Sequence, residues 1–195
     1  MKKIALGLTA LACSLASLTA QADPQPTCKM CPAYYIGNDE LQAYLKRGIA
    51  NNIVDQQVRA VDVGKSNVDV AMVYRGKLTA PGEVAEHDFV SEVYHIIDGS
   101  ATLVTGPDLV DQKRRPADGN NVKMLNGPGG NGKSIRNGAT YHLKPGDAII
   151  IPAGVGHWFT EVNDHIRYLM IRVDPDKVTP LKDEAASKID LEGKR

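Results

Sequence analysis

Hydrophobic and polar residues alternate along most of this chain with a period of two. In NVDVAMVYR, Val68, Val70, Met72 and Tyr74 share one face, the pattern of a strand covered on one side. The runs VSEVYHII, ATLVT, ATYHL, DAIIIP, HWFTEV and IRYLMIRVD follow, separated by Gly, Pro and Asp. Short β-rich runs punctuated in this way predict an all-β, antiparallel sandwich or barrel. Asp98-Gly99, between two of the runs, predicts a tight hairpin turn. The period changes only near the front. Leu41, Tyr44 and Leu45 fall at i, i+3, i+4 in DELQAYLKRGI, which predicts a short helix beginning at Asn38-Asp39. The last stretch, DKVTPLKDEAASKIDLEGKR, is charged and reads as a surface helix or a loose tail.

The first residues belong to a different class. Lys2 and Lys3 precede an apolar run from Ile4 to Leu18, and Ala20-Gln21-Ala22 supplies a small-x-small cleavage pattern. This is the layout of a secretory signal peptide cut after Ala22, with a periplasmic or secreted product. The run is shorter than the ~20 apolar residues a membrane span needs, so no membrane attachment is expected once the segment is removed. The divisions read from the sequence are 1–22 as signal peptide, 23–55 as an N-terminal segment with a helix, 56–175 as the β-barrel and 176–195 as a charged tail.

A length of 195 residues suits one domain. Basic and acidic residues balance at 23 each, so neither nucleic acid nor an anionic membrane surface is an expected partner. In the exported chain only Cys28 and Cys31 remain. A C-x-x-C pair serves as a redox dithiol, as half of a zinc site or as a tight disulfide. No second pair exists to complete a four-thiolate site, and an oxidising compartment favours the structural disulfide.

GPGGNGKS, Gly127 to Ser134, matches the phosphate-loop pattern letter for letter. That pattern functions only where a helix starts at its Lys-Ser pair, because the helix N-terminus holds the phosphates. Here IRNGATYHL follows, with a turn at Asn137-Gly138. The match is therefore expected to be a solvent-exposed glycine-rich loop that binds no nucleotide.

Two other segments carry more chemistry. In GDAIIIPAGVGHWF, Gly146, Pro152, Gly154 and His157 recur at fixed spacing; in HDFVSEVYHIIDG, His87, Glu92 and Gly99 do. Together they resemble the two motifs of the cupin superfamily over about residues 56–175. The second motif, G-x5-P-x-G-x2-H-x3-N, is met except that Glu161 stands where Asn is usual. The first, G-x5-H-x-H-x(3,4)-E-x6-G, lacks its first histidine, since Ala85 occupies that position. An alternative alignment places Glu86 and Asp88 in the histidine slots but leaves His87 unused. The resemblance implies a jelly-roll β-barrel holding one divalent transition metal (Fe, Mn, Ni or Zn) on His87, Glu92 and His157.

Strand parity counted from Glu92 and His157 sends Tyr94, Ile96, Phe159 and Glu161 inward, and Val93, His95 and Trp158 outward. Tyr94 and Glu161 are thus the candidates for moving a proton. His95 and His165 read as surface or interface residues, and His142 is not placed. The resemblance implies a metal-dependent enzyme of dioxygenase, isomerase or lyase type acting on a small polar molecule. The rival is a non-catalytic module that binds a small ligand or metal, with a redox role for the cysteines third. Because cupins often pair through outer strands, a homodimer is one expectation.

Overall fold

The structure is a computed structural model in which residues 25–193 are described. The expected signal peptide and its cleavage point lie outside the described residues. In chain order the elements are α1 (Asn38–Asn51), β1 (Asp55–Asp62), β2 (Asn67–Gly76), β3 (Val84–His87), β4 (Ser91–Gly99), β5 (Ala101–Gly106), β6 (Leu109–Val110), β7 (Lys113–Arg114), a π-helical turn (Asn121–Asn126), β8 (Gly129–Gly132), β9 (Ser134–Ile135), β10 (Ala139–Leu143), β11 (Ala148–Ile151), β12 (Gly156–Glu161), β13 (His165–Asp174) and α2 (Glu184–Leu191).

The strands pair antiparallel in two main sheets. One has the order β1-β2-β13-β4-β11 and the other β10-β5-β12-β3-β8-β7, with β6 and β9 forming a small ribbon. Both main sheets feed one core. Val73, Tyr94, Ile96, Ile166 and Tyr168 come from the first, and Leu103, Leu143 and Phe159 from the second. Where a barrel was expected, the hydrogen bonds among the described residues form two facing sheets.

The Asp98-Gly99 expectation needs correction. Gly99 closes no hairpin, because β4 pairs with β13 and β11, whereas β5 pairs with β10 and β12. The turn instead carries the chain from one sheet to the other. Gly99 takes φ +76°, and a Cβ there would lie 2.0 Å from the His165 carbonyl oxygen, so close approach as well as the left-handed backbone selects glycine.

A second correction concerns Gly127–Ser134. The segment is a strand rather than an exposed loop: β8 pairs with β3, and Gly129, Gly130 and Gly132 are buried. A Cβ on Gly129 would lie 2.2 Å from the Glu86 carbonyl oxygen and 2.8 Å from Arg115 Nη1. The glycines let backbone pack against backbone beside His87. β9 begins at Ser134, so no helix starts at the Lys-Ser pair as a phosphate loop requires.

The apolar face of β2 looks away from the inter-sheet core. Met72 and Tyr74 pack with Tyr44 and Leu45 of α1, whereas Ala71 and Val73 face the core. The tail is also anchored. Ala60 and Lys182 exchange backbone hydrogen bonds of 3.0 and 2.9 Å, and Asp183 caps α2 by accepting from Ala186 N at 2.8 Å. Asp190 then accepts from Tyr44 Oη at 3.1 Å and pairs with Arg47 and Lys182, tying α2 to α1. Cys28 and Cys31 form a disulfide with a Cα–Cα distance of 5.6 Å.

Candidate metal centre

Three strands bring the motif residues together. His87 ends β3, Glu92 lies near the start of β4, and His157 is the second residue of β12. All three are buried, and one donor atom from each lies within 4.8 Å of the others. Nε2 of His87 is 3.4 Å from Oε1 of Glu92, and Nε2 of His157 is 3.4 Å from Oε2. The two imidazoles therefore approach opposite oxygens of one carboxylate.

His157 is already set up as a ligand. Its Nδ1 lies 3.3 Å from the Val155 carbonyl oxygen, which assigns the ring proton to Nδ1 and leaves the Nε2 lone pair facing Glu92. Burial pushes its pKa down to about 4, so the ring is neutral at neutral pH. His87 differs: its Nδ1 lies 3.3 Å from Arg115 Nη1, which can only donate. An imidazole that binds metal through Nε2 carries its proton on Nδ1. Loading the site would thus release this Arg115 N–H.

The carboxylate is held from behind. Arg172 Nε donates to Glu92 Oε1 at 3.2 Å, and Tyr94 Oη donates to Oε2 at 2.6 Å. Burial pushes the Glu92 carboxyl up, but His87, His157 and Arg172 together override it and hold it well below the usual range. Burial and the Glu92 charge raise the Tyr94 phenol well above its ordinary value, so it stays protonated and acts as a donor. Arg172, 2% exposed, also donates to Asp69 at 3.1 Å and pairs with Asp55. Burial pushes Asp69 up to about 6. Asp55 Oδ1 and Asp69 Oδ1 are buried with no hydrogen-bond partner. The donor set and its orientation fit a divalent first-row metal.

Ala85 sits directly across from His157 in the β12–β3 pairing, so its methyl shares the face on which a fourth ligand would stand. That position is open. The alternative alignment fails geometrically, because Glu86 and Asp88 turn to Arg114 on the other face of β3. Beside the three ligands lies a cavity of about 340 Å³, lined also by Tyr94, Tyr168, Arg75, Arg115 and Asn131.

Glu161 is not part of this cavity. A register shift between Phe159 and Glu161 breaks the alternation on β12. Glu161 is exposed and accepts from Thr102 Oγ1 at 3.2 Å. Expecting it to face inward was wrong because a bulge reverses parity. His142 is exposed on β10 beside the same Thr102 at 3.3 Å, and His95 is exposed on β4. His165 pairs with Asp98 and Asp164 outside the site. The sequence reading missed Arg172, Asp69, Asp55, Arg75 and Arg115. One signal was present: Arg75 follows the inward Val73 by two residues and so shares its face.

The profile described as AraC-like ligand binding domain matches residues 129–188. No curated protein matches the sequence. Among solved structures, a Bacillus halodurans protein is 16% identical over 74% of this chain and 83% of its own, with a TM-score of 0.41. An RmlC-like cupin with a double-stranded β-helix fold from Methanocaldococcus jannaschii is 12% identical over 77% of this chain and 98% of its own, with a TM-score of 0.38. The dimethylsulfoniopropionate (DMSP) lyase DddQ from Ruegeria pomeroyi is 16% identical over 63% of this chain and 50% of its own, again at 0.38. The profile match covers the second of the two cupin-like motifs, and the facing antiparallel sheets agree with the fold that those motifs imply.

Proposed function

We propose that this chain is a cupin that holds one divalent first-row metal on His87, Glu92 and His157 and uses it on a small polar molecule. The observation that carries the reading is the pair of 3.4 Å approaches of two imidazole Nε2 atoms to opposite oxygens of Glu92, with His157 oriented by the Val155 carbonyl. A metal with three protein ligands keeps positions free to polarise a substrate oxygen or to lower the pKa of water. The chain supplies the rest. Arg172 fixes the carboxylate. In this reading Tyr94, kept protonated, acts as a hydrogen-bond donor beside Glu92.

The test is elemental analysis of the mature protein, purified from a periplasm without added metal, alongside His87→Ala and Glu92→Ala. Near-stoichiometric metal in the parent, absent from both variants, supports the reading and names the element. No metal in the parent, even after reconstitution, overturns it.

The match to a ligand-binding-domain profile favours a second reading, in which the same cavity captures a small molecule without converting it. A ligand that stabilises the protein by about 2.7 kcal/mol at a hundredfold excess over Kd, with no product formed, would select this reading. In either case we propose that the protein is exported. The leader-like first 22 residues and the Cys28–Cys31 disulfide support export.

A further inference from the structure

The charge around the cavity is unevenly satisfied. Arg172 faces Asp55, Asp69 and Glu92, whereas Arg75 has no ion pair among the described residues. Arg75 lines the cavity, donates Nε to Tyr168 Oη at 3.3 Å and lies with Cζ 4.5 Å above the Phe159 ring. Those contacts fix the guanidinium plane without neutralising it. Arg115, just after β7 of the other sheet, also has no ion pair among the described residues, and its partners there are Asn131 Oδ1 at 2.7 Å, the Gly130 carbonyl oxygen at 3.0 Å and His87. Arg172, Arg75 and Arg115 match Asp55, Asp69 and Glu92 in number, so a divalent cation on Glu92 leaves the surroundings of the cavity two positive charges in excess. An unpaired cation at a partly enclosed site is costly unless an anion fills it.

We propose that the cavity binds a small carboxylate, with Arg75 holding the carboxylate group. A planar guanidinium pre-oriented on a ring suits forked recognition of a planar anion. Phe159 follows His157 by two residues on β12, so the two side chains share a face about 6.6 Å apart along the strand. A carboxylate on Arg75 then lies roughly one such step from the metal ligands, which leaves the far end of a short molecule at the metal. The cavity volume of about 340 Å³ limits the ligand to a small molecule. This inference rests on the metal reading for its charge balance and deepens it by naming a substrate class.

The test uses the mature protein with its metal content measured. Acetate and malonate are titrated at constant ionic strength, with acetamide as the neutral isostere, and melting temperature is followed. Saturable stabilisation by a carboxylate in the millimolar range, and none by acetamide, is expected. Arg75→Met keeps an apolar side chain on Phe159 and should weaken carboxylate binding at least about tenfold, with metal content unchanged. Arg75→Lys, a milder change, should retain part of the binding if the methionine variant does not fold. Equal stabilisation by acetamide, undiminished binding in Arg75→Met, or no response to either carboxylate in metal-replete protein would overturn the proposal and leave the metal reading intact. A parent without metal would sink the metal reading alone, since Arg75-dependent carboxylate binding can be scored on that protein too.

Discussion

Arg172 reaches Glu92 across neighbouring strands β13 and β4, its Nε 3.2 Å from the carboxylate oxygen that His87 also approaches. The residue placed to bind a metal is thus itself fixed by a buried cation. That cation also neutralises part of the Asp55 and Asp69 charge. The candidate metal centre and the interior of the first sheet are in this sense one electrostatic unit.

Removing that cation should therefore be severe. Arg172→Met leaves Glu92 and Asp69 buried, with the partly buried Asp55 beside them and no cation between, and breaking a buried charge network by deleting one partner costs about 3–5 kcal/mol. Urea unfolding of chelator-treated parent and variant measures it. A loss below about 1 kcal/mol would mean that the network contributes no stability, against the position taken here.

His157 gives a pH dependence. Unfolded, its ring titrates near 6.5; folded, burial pushes it down to about 4. The unfolded chain binds more protons between these values, so stability from the neutral ring is complete above about pH 6.5 and is lost as pH falls towards 4. Asp69, pushed up to about 6, acts with the opposite sign between about 4 and 6. Comparing metal-free parent with His157→Asn isolates the histidine. The variant should show a flatter acid limb in thermal melts between pH 6.5 and 4, and an unchanged limb would refute the buried neutral ring.

The glycine-rich segment separates a strand from a phosphate loop. Gly129→Ala places a Cβ against the Glu86 carbonyl oxygen, 2.2 Å away before relaxation, and should cost about 1–3 kcal/mol by overpacking. Lys133 forms only an exposed pair with Asp111 at 2.7 Å, so Lys133→Ala should change stability by less than about 0.5 kcal/mol. Differential scanning calorimetry of both variants checks the contrast. Equal and small effects would argue that β8 is not packed as described.

Asp190 governs a lower pH window. Burial raises its pKa, but Lys182 and Arg47 outweigh burial and bring it down to about 2. Its contribution is present above about pH 4, the unfolded value, and is lost as pH falls towards 2. Asp190→Asn should remove that part of the acid transition and loosen α2 from α1, both visible by far-ultraviolet circular dichroism. A transition identical to the parent's would show that the clamp is not an acid-sensitive element.

Much of this was legible in the sequence. The period-two runs located the strands, the 3.6-residue pattern located α1, and fixed spacing of Gly, Pro, His and Glu located the three candidate ligands. Glu161 was not legible, because a bulge leaves no mark in the spacing of residue types and yet reverses which face a side chain takes. The turn at Gly99 was misread because Asp-Gly favours positive φ in any turn, whether or not the flanking strands pair with each other.

By itself the sequence determined the local states: where the backbone extends, where it coils, and which ionisable residues stand at motif positions. Side-chain period and turn chemistry act over a few residues and are written in order along the chain. Only the tertiary structure decided that Gly129–Gly132 of GPGGNGKS form a largely buried strand beside His87, that Arg172 serves Glu92 from another strand, and that Arg75 stands in the cavity without an ion pair among the described residues. Those relations depend on which strands pair and in what register, and on burial, which sets the strength of every charge interaction. Neither is a property of any short stretch of sequence.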